Sequence, residues 1–158
     1  CRYSANPVGR LVLHLCGYSD PERQRLSDFT CTALQLANFW QDVSVDRLKN
    51  RVYLPEDRLL QAGSSAAQVI ESRDDPALRR CVAGELDWAE SLMRQGFSLP
   101  FRVPGRLGWE LRLVIQGGLR VAEKIRAMNH ATLQHRPRLR AWDAPLLLWR
   151  AVRMKALA

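Results

Sequence analysis

Apolar positions recur at three- and four-residue spacing through most of this chain, and period-two alternation is absent, so every element it predicts is helical. The clearest helix opens at Asp74-Asp75-Pro76 and runs to about Arg94, with Leu78, Val82, Leu86, Ala89 and Met93 on one face. A second runs from Leu107 to about Met128. A third takes Ser27 or Asp28 as its cap and extends to about Lys49, where Asn50 ends it. Shorter helices are predicted from Pro7 to a stop at Gly17, from Pro55-Glu56-Asp57 onward, and from Ala66 to Ser72 behind a Ser64 or Ser65 cap. Arg51 to Pro55 should be extended, because a residue before proline disfavours the helical region. Ser19 to Glu22 is predicted as a turn and Gly96 to Gly105 as a loop. A basic loop, Arg136-Pro137-Arg138-Leu139-Arg140, precedes a last helix from Pro145 to Lys155. The sum is an all-α bundle in a single domain, residues 1–158, without repeats or linkers.

The third helix carries the chemistry. At about 100° per residue, Gln35, Asn38, Asp42 and Asp46 fall in a stripe roughly 80° wide. Nearly everything else from Cys31 to Val45 is apolar or small, which predicts burial. Two bare carboxylates in such surroundings need positive charge, because isolated buried charge is very costly. An Asp pair four residues apart reads by itself as a solvated helix face. The amides on the same stripe turn the reading toward a hard divalent cation such as Mg²⁺.

The remaining polar residues carry weaker signals. Glu85, Asp87 and Glu90, flanked by Arg79, Arg80 and Arg94, read as a solvated face. His14, His130 and His135 share no ligand spacing and read as structural or solvated. Cys1, Cys16, Cys31 and Cys81 form no C-x-x-C pair, which argues against a disulfide framework and for a reducing cytoplasm. The chain begins at Cys1 without Met or a signal-peptide pattern, inside what reads as a helical segment, so an upstream part is expected.

Charge narrows the partners. With 24 Lys+Arg against 16 Asp+Glu the net charge is +8, which suits anionic partners. No zinc-finger spacing, RNA-binding signature or uninterrupted basic run supports nucleic acid, which leaves phosphorylated substrates or an acidic membrane surface. No apolar run is long enough to span a bilayer. The last helix combines Leu146, Leu147, Leu148, Trp149, Val152, Met154 and Leu157 with Arg150, Arg153 and Lys155. It is either a membrane-surface helix or the closing helix of the bundle. The expected location is cytoplasmic, with peripheral attachment at the inner face of the cell membrane.

Gln35, Asn38, Asp42, Asp46, Arg51 and Pro55, in this order, resemble the second aspartate-rich motif of the squalene/phytoene synthase family. That motif reads Q-x-x-N-x-x-x-D-x-x-x-D, then a Gly/Arg turn and an aromatic-x-Pro. Cys1 to Gly9 is similar to the family segment Y-C-x-x-V-A-G-x-V-G, whose leading Tyr falls before Cys1. Leu107 to Met128, with Gln116-Gly117-Gly118, resembles the late helix beside the family's catalytic cavity. Ser4-Ala5-Asn6-Pro7, Asn38-Phe39-Trp40-Gln41-Asp42 and the Arg136-Pro137-Arg138-Leu139 tail point within the family to the bacterial hopanoid branch. Two departures stand out. Gln41 replaces a common Arg, and Asn50 replaces a usual Gly, tolerably because Asn accepts left-handed geometry.

The resemblance implies an isoprenoid synthase-type helical bundle, here incomplete at the N-terminus, with a first Asp-rich motif before Cys1. It implies an Mg²⁺-dependent enzyme that converts presqualene diphosphate to hydroxysqualene. The alternatives are a head-to-head prenyl transferase using farnesyl diphosphate, a phytoene synthase, or a non-catalytic basic helical fragment. By the same resemblance Asp42, Asp46 and Asn38 bind metal, and Gln35, Asn38, Arg51 and Arg2 bind diphosphate. Arg51 either clamps it or pairs with a carboxylate such as Asp46. Tyr3 stabilises cationic charge through its ring face or simply packs. Leu36, Phe39 and Val43 line a dry cavity or pack as core. Tyr53 packs, and Gly117-Gly118 marks a close approach of substrate or helix.

Overall fold

A computed structural model describes residues 1–155; the Leu157 expected in the last helix lies outside them. Among the described residues there is no strand. The helices are α1 (Ala5–Leu15), α2 (Pro21–Gln41), α3 (Val43–Asp46), α4 (Glu56–Ala62), α5 (Ala66–Ile70), α6 (Pro76–Gln95), α7 (Leu99–Arg102), α8 (Arg106–Ala127) and α9 (Ala144–Arg153). Single 3₁₀ turns cover Arg47–Lys49 and Ala141–Asp143. All five apolar positions of the α6 stripe are buried, none more than 3% exposed.

Three boundaries differ from expectation. Helix α2 starts at Pro21, not at Ser27 or Asp28. Asp20 accepts the Arg23 backbone N–H at 3.0 Å and Pro21 takes the first position, which needs no N–H. Asp28 lies inside the helix and receives Arg10 through both carboxylate oxygens. The loop from Gly96 to Gly105 contains the one-turn helix α7. The stretch expected as helix through Lys49 breaks at Asp42, where φ is −99° and ψ 8°.

The chain forms two compact units. Unit one comprises Cys1–Gln35, Ala89–Arg120 and the segment from Leu139; unit two comprises Leu36–Trp88 and Val121–Arg138. In unit one, Leu13, Leu26, Leu99 and Val103 form one core cluster and Ala33, Met93, Ile115 and Met154 another. Gly118 sits where α2, α6 and α8 converge: a Cβ there would meet Leu34 Cδ2 at 2.8 Å and Met93 Cε at 3.0 Å. Helix packing thus accounts for that glycine. Unit two buries Leu36, Trp40, Leu59, Val69, Leu78, Leu86 and Ile125.

The acidic face expected on α6 is not uniformly solvated. Asp87 is exposed and meets Arg126 at 2.5 Å. Glu85 and Glu90 are 6% and 9% exposed. Two residues along a helix turn a side chain through about 200°, so Glu85 and Asp87 cannot share a face, and the inward one follows the Leu78–Val82–Leu86 stripe.

Candidate functional site

The end of α2 sets the geometry. Asp42 donates its backbone N–H to Asn38 O at 2.9 Å, completing the last helical turn. Beyond it the Ser44 N–H goes to Thr132 O at 3.1 Å, outside the helix. The turn re-forms at once, since Asp46 N–H donates to Asp42 O at 2.9 Å. The two aspartates therefore stay one turn apart across the break. Helix end chemistry closes the segment: Asn50 is left-handed at φ 54°, Asn50 N–H donates to Arg47 O at 2.9 Å and Arg51 N–H to Asp46 O at 3.0 Å. This pair of bonds is a Schellman stop, and it bears out the left-handed role assigned to Asn50.

Arg136 is the residue that sequence reasoning did not single out. Its Nε donates to Asp42 Oδ1 at 2.5 Å and its Nη2 to Asp42 Oδ2 at 3.0 Å, a bidentate pair. The hydrogen bond to Asp42, and further the charge of Asp46, push the Arg136 pKa above its already high value. Gln41 anchors the same loop: its side chain is 7% exposed and Nε2 donates to Pro137 O at 2.6 Å. The position lacking the common Arg thus holds a neighbouring Arg in place. The available signal was the basic loop from Arg136 to Arg140, whose sequence distance from Asp42 hid the pairing.

The other expected site residues are placed as follows. Asn38 is exposed on the turn before Asp42, and Asp46 is half-buried. The Arg51 side chain is exposed and forms no ion pair among the described residues, so the structural pairing with Asp46 is absent. In unit one, Gln35 Oε1 accepts the Ser4 hydroxyl at 3.0 Å, and Asn6 accepts Thr32 Oγ1 at 2.9 Å. Those bonds seat the opening segment on α2. Arg2 lies over the Tyr3 ring at 5.6 Å, and Tyr3 is 88% exposed, so core packing does not explain it. Phe39 stacks on Tyr53 at 4.1 Å between centroids, while Leu36 and Val43 are core. Unit one holds an apolar cavity of about 200 Å³ lined by Val8, Val12, Leu34, Leu107, Leu111 and Val114, among others.

The donor set beside the break has the chemistry of a divalent-cation site. Asp42, Asp46 and Asn38 offer hard oxygen donors within two helical turns. No cluster of three or more His, Cys, Asp or Glu with metal-binding geometry occurs among the described residues. One or two carboxylates, with phosphate oxygens completing the shell, is the habit of Mg²⁺ rather than of caged Zn²⁺ or Ca²⁺. The residues present fit Mg²⁺ on those terms, with Arg136 holding Asp42 as a competing cation.

Comparison with known proteins agrees in extent. The sequence profile of squalene/phytoene synthase matches residues 1–143. Hydroxysqualene synthase of Rhodopseudomonas palustris is 40% identical over 116 residues, 72% of this chain and 39% of that protein. Phytoene synthase of Thermus thermophilus is 30% identical over 152 residues, 96% of this chain and 52% of that protein. The crystal structure of squalene synthase HpnC from Alicyclobacillus acidocaldarius superposes with a TM-score of 0.80 at 45% identity, covering 82% of this chain and 49% of that one. The chain spans about half or less of the length of these relatives. The profile match runs from the opening segment on α2 through the aspartate pair to Asp143, and the all-α architecture superposes with it: the chain belongs to the squalene/phytoene synthase family.

Proposed function

We propose that the protein acts in Mg²⁺-dependent prenyl diphosphate chemistry, and most specifically in converting presqualene diphosphate to hydroxysqualene. The observation that carries this is the Asp42–Asp46 pair kept one turn apart at the α2 break, with Asn38 preceding it. Mg²⁺, when bound, would neutralise diphosphate so that it can leave. The chain's own residues supply the rest. Within unit two, Asp42 and Asp46 would hold the metal, Asn38 would add an amide oxygen, and Arg51 and Arg136 would offer donors to diphosphate oxygens; in unit one, Gln35 and Arg2 are the candidate diphosphate donors. Tyr3 presents a ring face that favours developing positive charge. Taken by itself, the apolar cavity of unit one has the lining that a prenyl chain would need. The similarity to the hydroxysqualene synthase of Rhodopseudomonas palustris at 40% identity supports this branch. Farnesyl diphosphate condensation is the second reading, favoured by the phytoene synthase similarity over nearly the whole chain.

The test incubates the full-length protein and Mg²⁺ with presqualene diphosphate and, separately, with farnesyl diphosphate, with mass-spectrometric product identification. Hydroxysqualene from the first, lost in Asp42→Asn, is the expected result. Presqualene diphosphate or phytoene from prenyl diphosphates would move the protein to the condensing branch. No product from any substrate would leave a non-catalytic helical protein.

A further inference from the structure

Helix α9 carries more apolar surface than closing a helical unit requires. Its inner face is used: Ala151 is fully buried, and Met154 just beyond the helix joins the cluster with Ala33, Met93 and Ile115. The opposite face is apolar as well. Leu148, Trp149 and Val152 are 55%, 57% and 64% exposed, and they share one side of the helix by their spacing. Trp142, seven residues before Trp149, is 66% exposed about two turns earlier. Single exposed apolar residues are ordinary, but three large ones on one side of a ten-residue helix, with a fourth exposed in its lead-in, form a patch.

The exposed charges along this segment have one sign. Arg140 lies over the Trp142 ring at 4.8 Å and Arg153 over Trp149 at 5.4 Å. From Leu139 to Lys155 the chain carries Arg140, Arg150, Arg153 and Lys155 against one acid, Asp143. That acid is 2% exposed and receives Arg120 Nε at 2.9 Å, so it adds no surface charge. The helix also lies past residue 143, where the family match ends.

We propose that the Trp142–Leu148–Trp149–Val152 face docks on an anionic lipid surface. Tryptophan with an apolar body and a polar N–H suits the headgroup boundary, and arginine at its rim suits lipid phosphates. A protein partner would more commonly meet a patch whose centre is depleted of charge; here each tryptophan carries an arginine over its ring. The attachment is peripheral, since among the described residues no helix is long and apolar enough to cross a membrane. The inference rests on α9 and its lead-in alone, independent of the reaction proposed above.

The test is co-sedimentation of the full-length protein with phosphatidylcholine vesicles, with and without phosphatidylglycerol, at low and high salt. Binding to the anionic vesicles only, weakened by salt, is expected. Trp149→Ser with Val152→Ser should lower partitioning at least about tenfold with unchanged helical circular dichroism. If that variant loses helicity, Arg140→Glu with Arg153→Glu decides, because it keeps the apolar face and should abolish the anionic preference. Absence of binding to anionic vesicles would overturn the proposal. So would full binding by either folded variant, or a self-association that the serine variant abolishes while vesicle binding stays unchanged.

Discussion

Arg136 holds both carboxylate oxygens of Asp42 although 94 residues separate them. Side-chain exposures of 33% and 26% make this a half-buried, bidentate pair rather than a loose surface contact. The guanidinium occupies the lone pairs that a divalent cation would use. Metal binding at Asp42 must therefore displace an existing partner or share it.

That competition is measurable without turnover. On the proposed metal site, Arg136→Gln should bind Mn²⁺ more tightly in the absence of diphosphate. A half-exposed pair is worth up to about 1 kcal/mol, so the gain should be roughly fivefold. Titration followed by the electron paramagnetic resonance of free Mn²⁺ reads it directly. Equal or weaker affinity in the variant would mean that Arg136 does not compete for Asp42.

Gly108, near the start of α8, tests the packing of unit one. A Cβ there would lie 2.6 Å from Pro100 O and still closer to Val103 O. Both are backbone oxygens, which cannot rotate aside as a side-chain end can. Helix propensity alone favours Ala over Gly by about 1 kcal/mol. Gly108→Ala should nevertheless destabilise by about 1–3 kcal/mol in urea unfolding. A neutral or stabilising result would show that the α7–α8 connection yields easily.

Asp143 ties the start of α9 to α8. It accepts Arg120 Nε at 2.9 Å and the Arg140 backbone N–H at 2.8 Å, with its side chain 1% exposed. Removing Asp143 takes from Arg120 the carboxylate to which its Nε donates. Arg120 keeps 28% of its side chain in solvent, which moderates the cost. Asp143→Ala should lose about 2–4 kcal/mol by calorimetry, and Arg120→Met in the same chain should recover part of it. An effect below about 1 kcal/mol would place this pair with ordinary surface bridges.

The all-α class was legible because the α6 and α8 stripes have the helical period over five turns or more. The metal-site candidates were legible because a stripe of four polar side chains interrupts an apolar helix. The start of α2 was not: Ser27 and Asp28 carry good capping chemistry but lie inside the helix, and Asp20-Pro21 takes the cap. The break at Asp42 was hidden because the Ser44 N–H just beyond it goes to Thr132 O, a backbone partner 88 residues further along the chain. Arg136 was hidden for the same reason. Local pattern fixes elements and faces, whereas pairings across the chain depend on tertiary geometry that periodicity does not encode.

Glu85 shows how such hidden burial becomes a pH effect. Its side chain is 8% exposed, Oε2 has no hydrogen-bond partner, and Arg58 approaches Oε1 only to 3.7 Å from a 60% exposed position. Burial pushes its pKa up from an ordinary value near 4.5, with Asp57 adding to the rise and Arg58 opposing it. A carboxyl whose folded pKa is raised binds its proton more tightly in the folded chain. Ionisation therefore costs stability, and the cost grows as pH rises from about 4.5 through the folded value, reaching its full size above it. Glu85→Gln removes the charge and keeps the shape, so it should raise Tm at pH 7 by about 2–4 °C, the shift that about 1 kcal/mol gives a domain of this size. The difference from wild type should shrink as pH falls through 4.5 and vanish below about pH 3.5, where the carboxyl is protonated in folded and unfolded chains alike. Thermal melts across that range decide it. A variant less stable than wild type at pH 7 would mean that the contact with Arg58 outweighs the desolvation of the carboxylate.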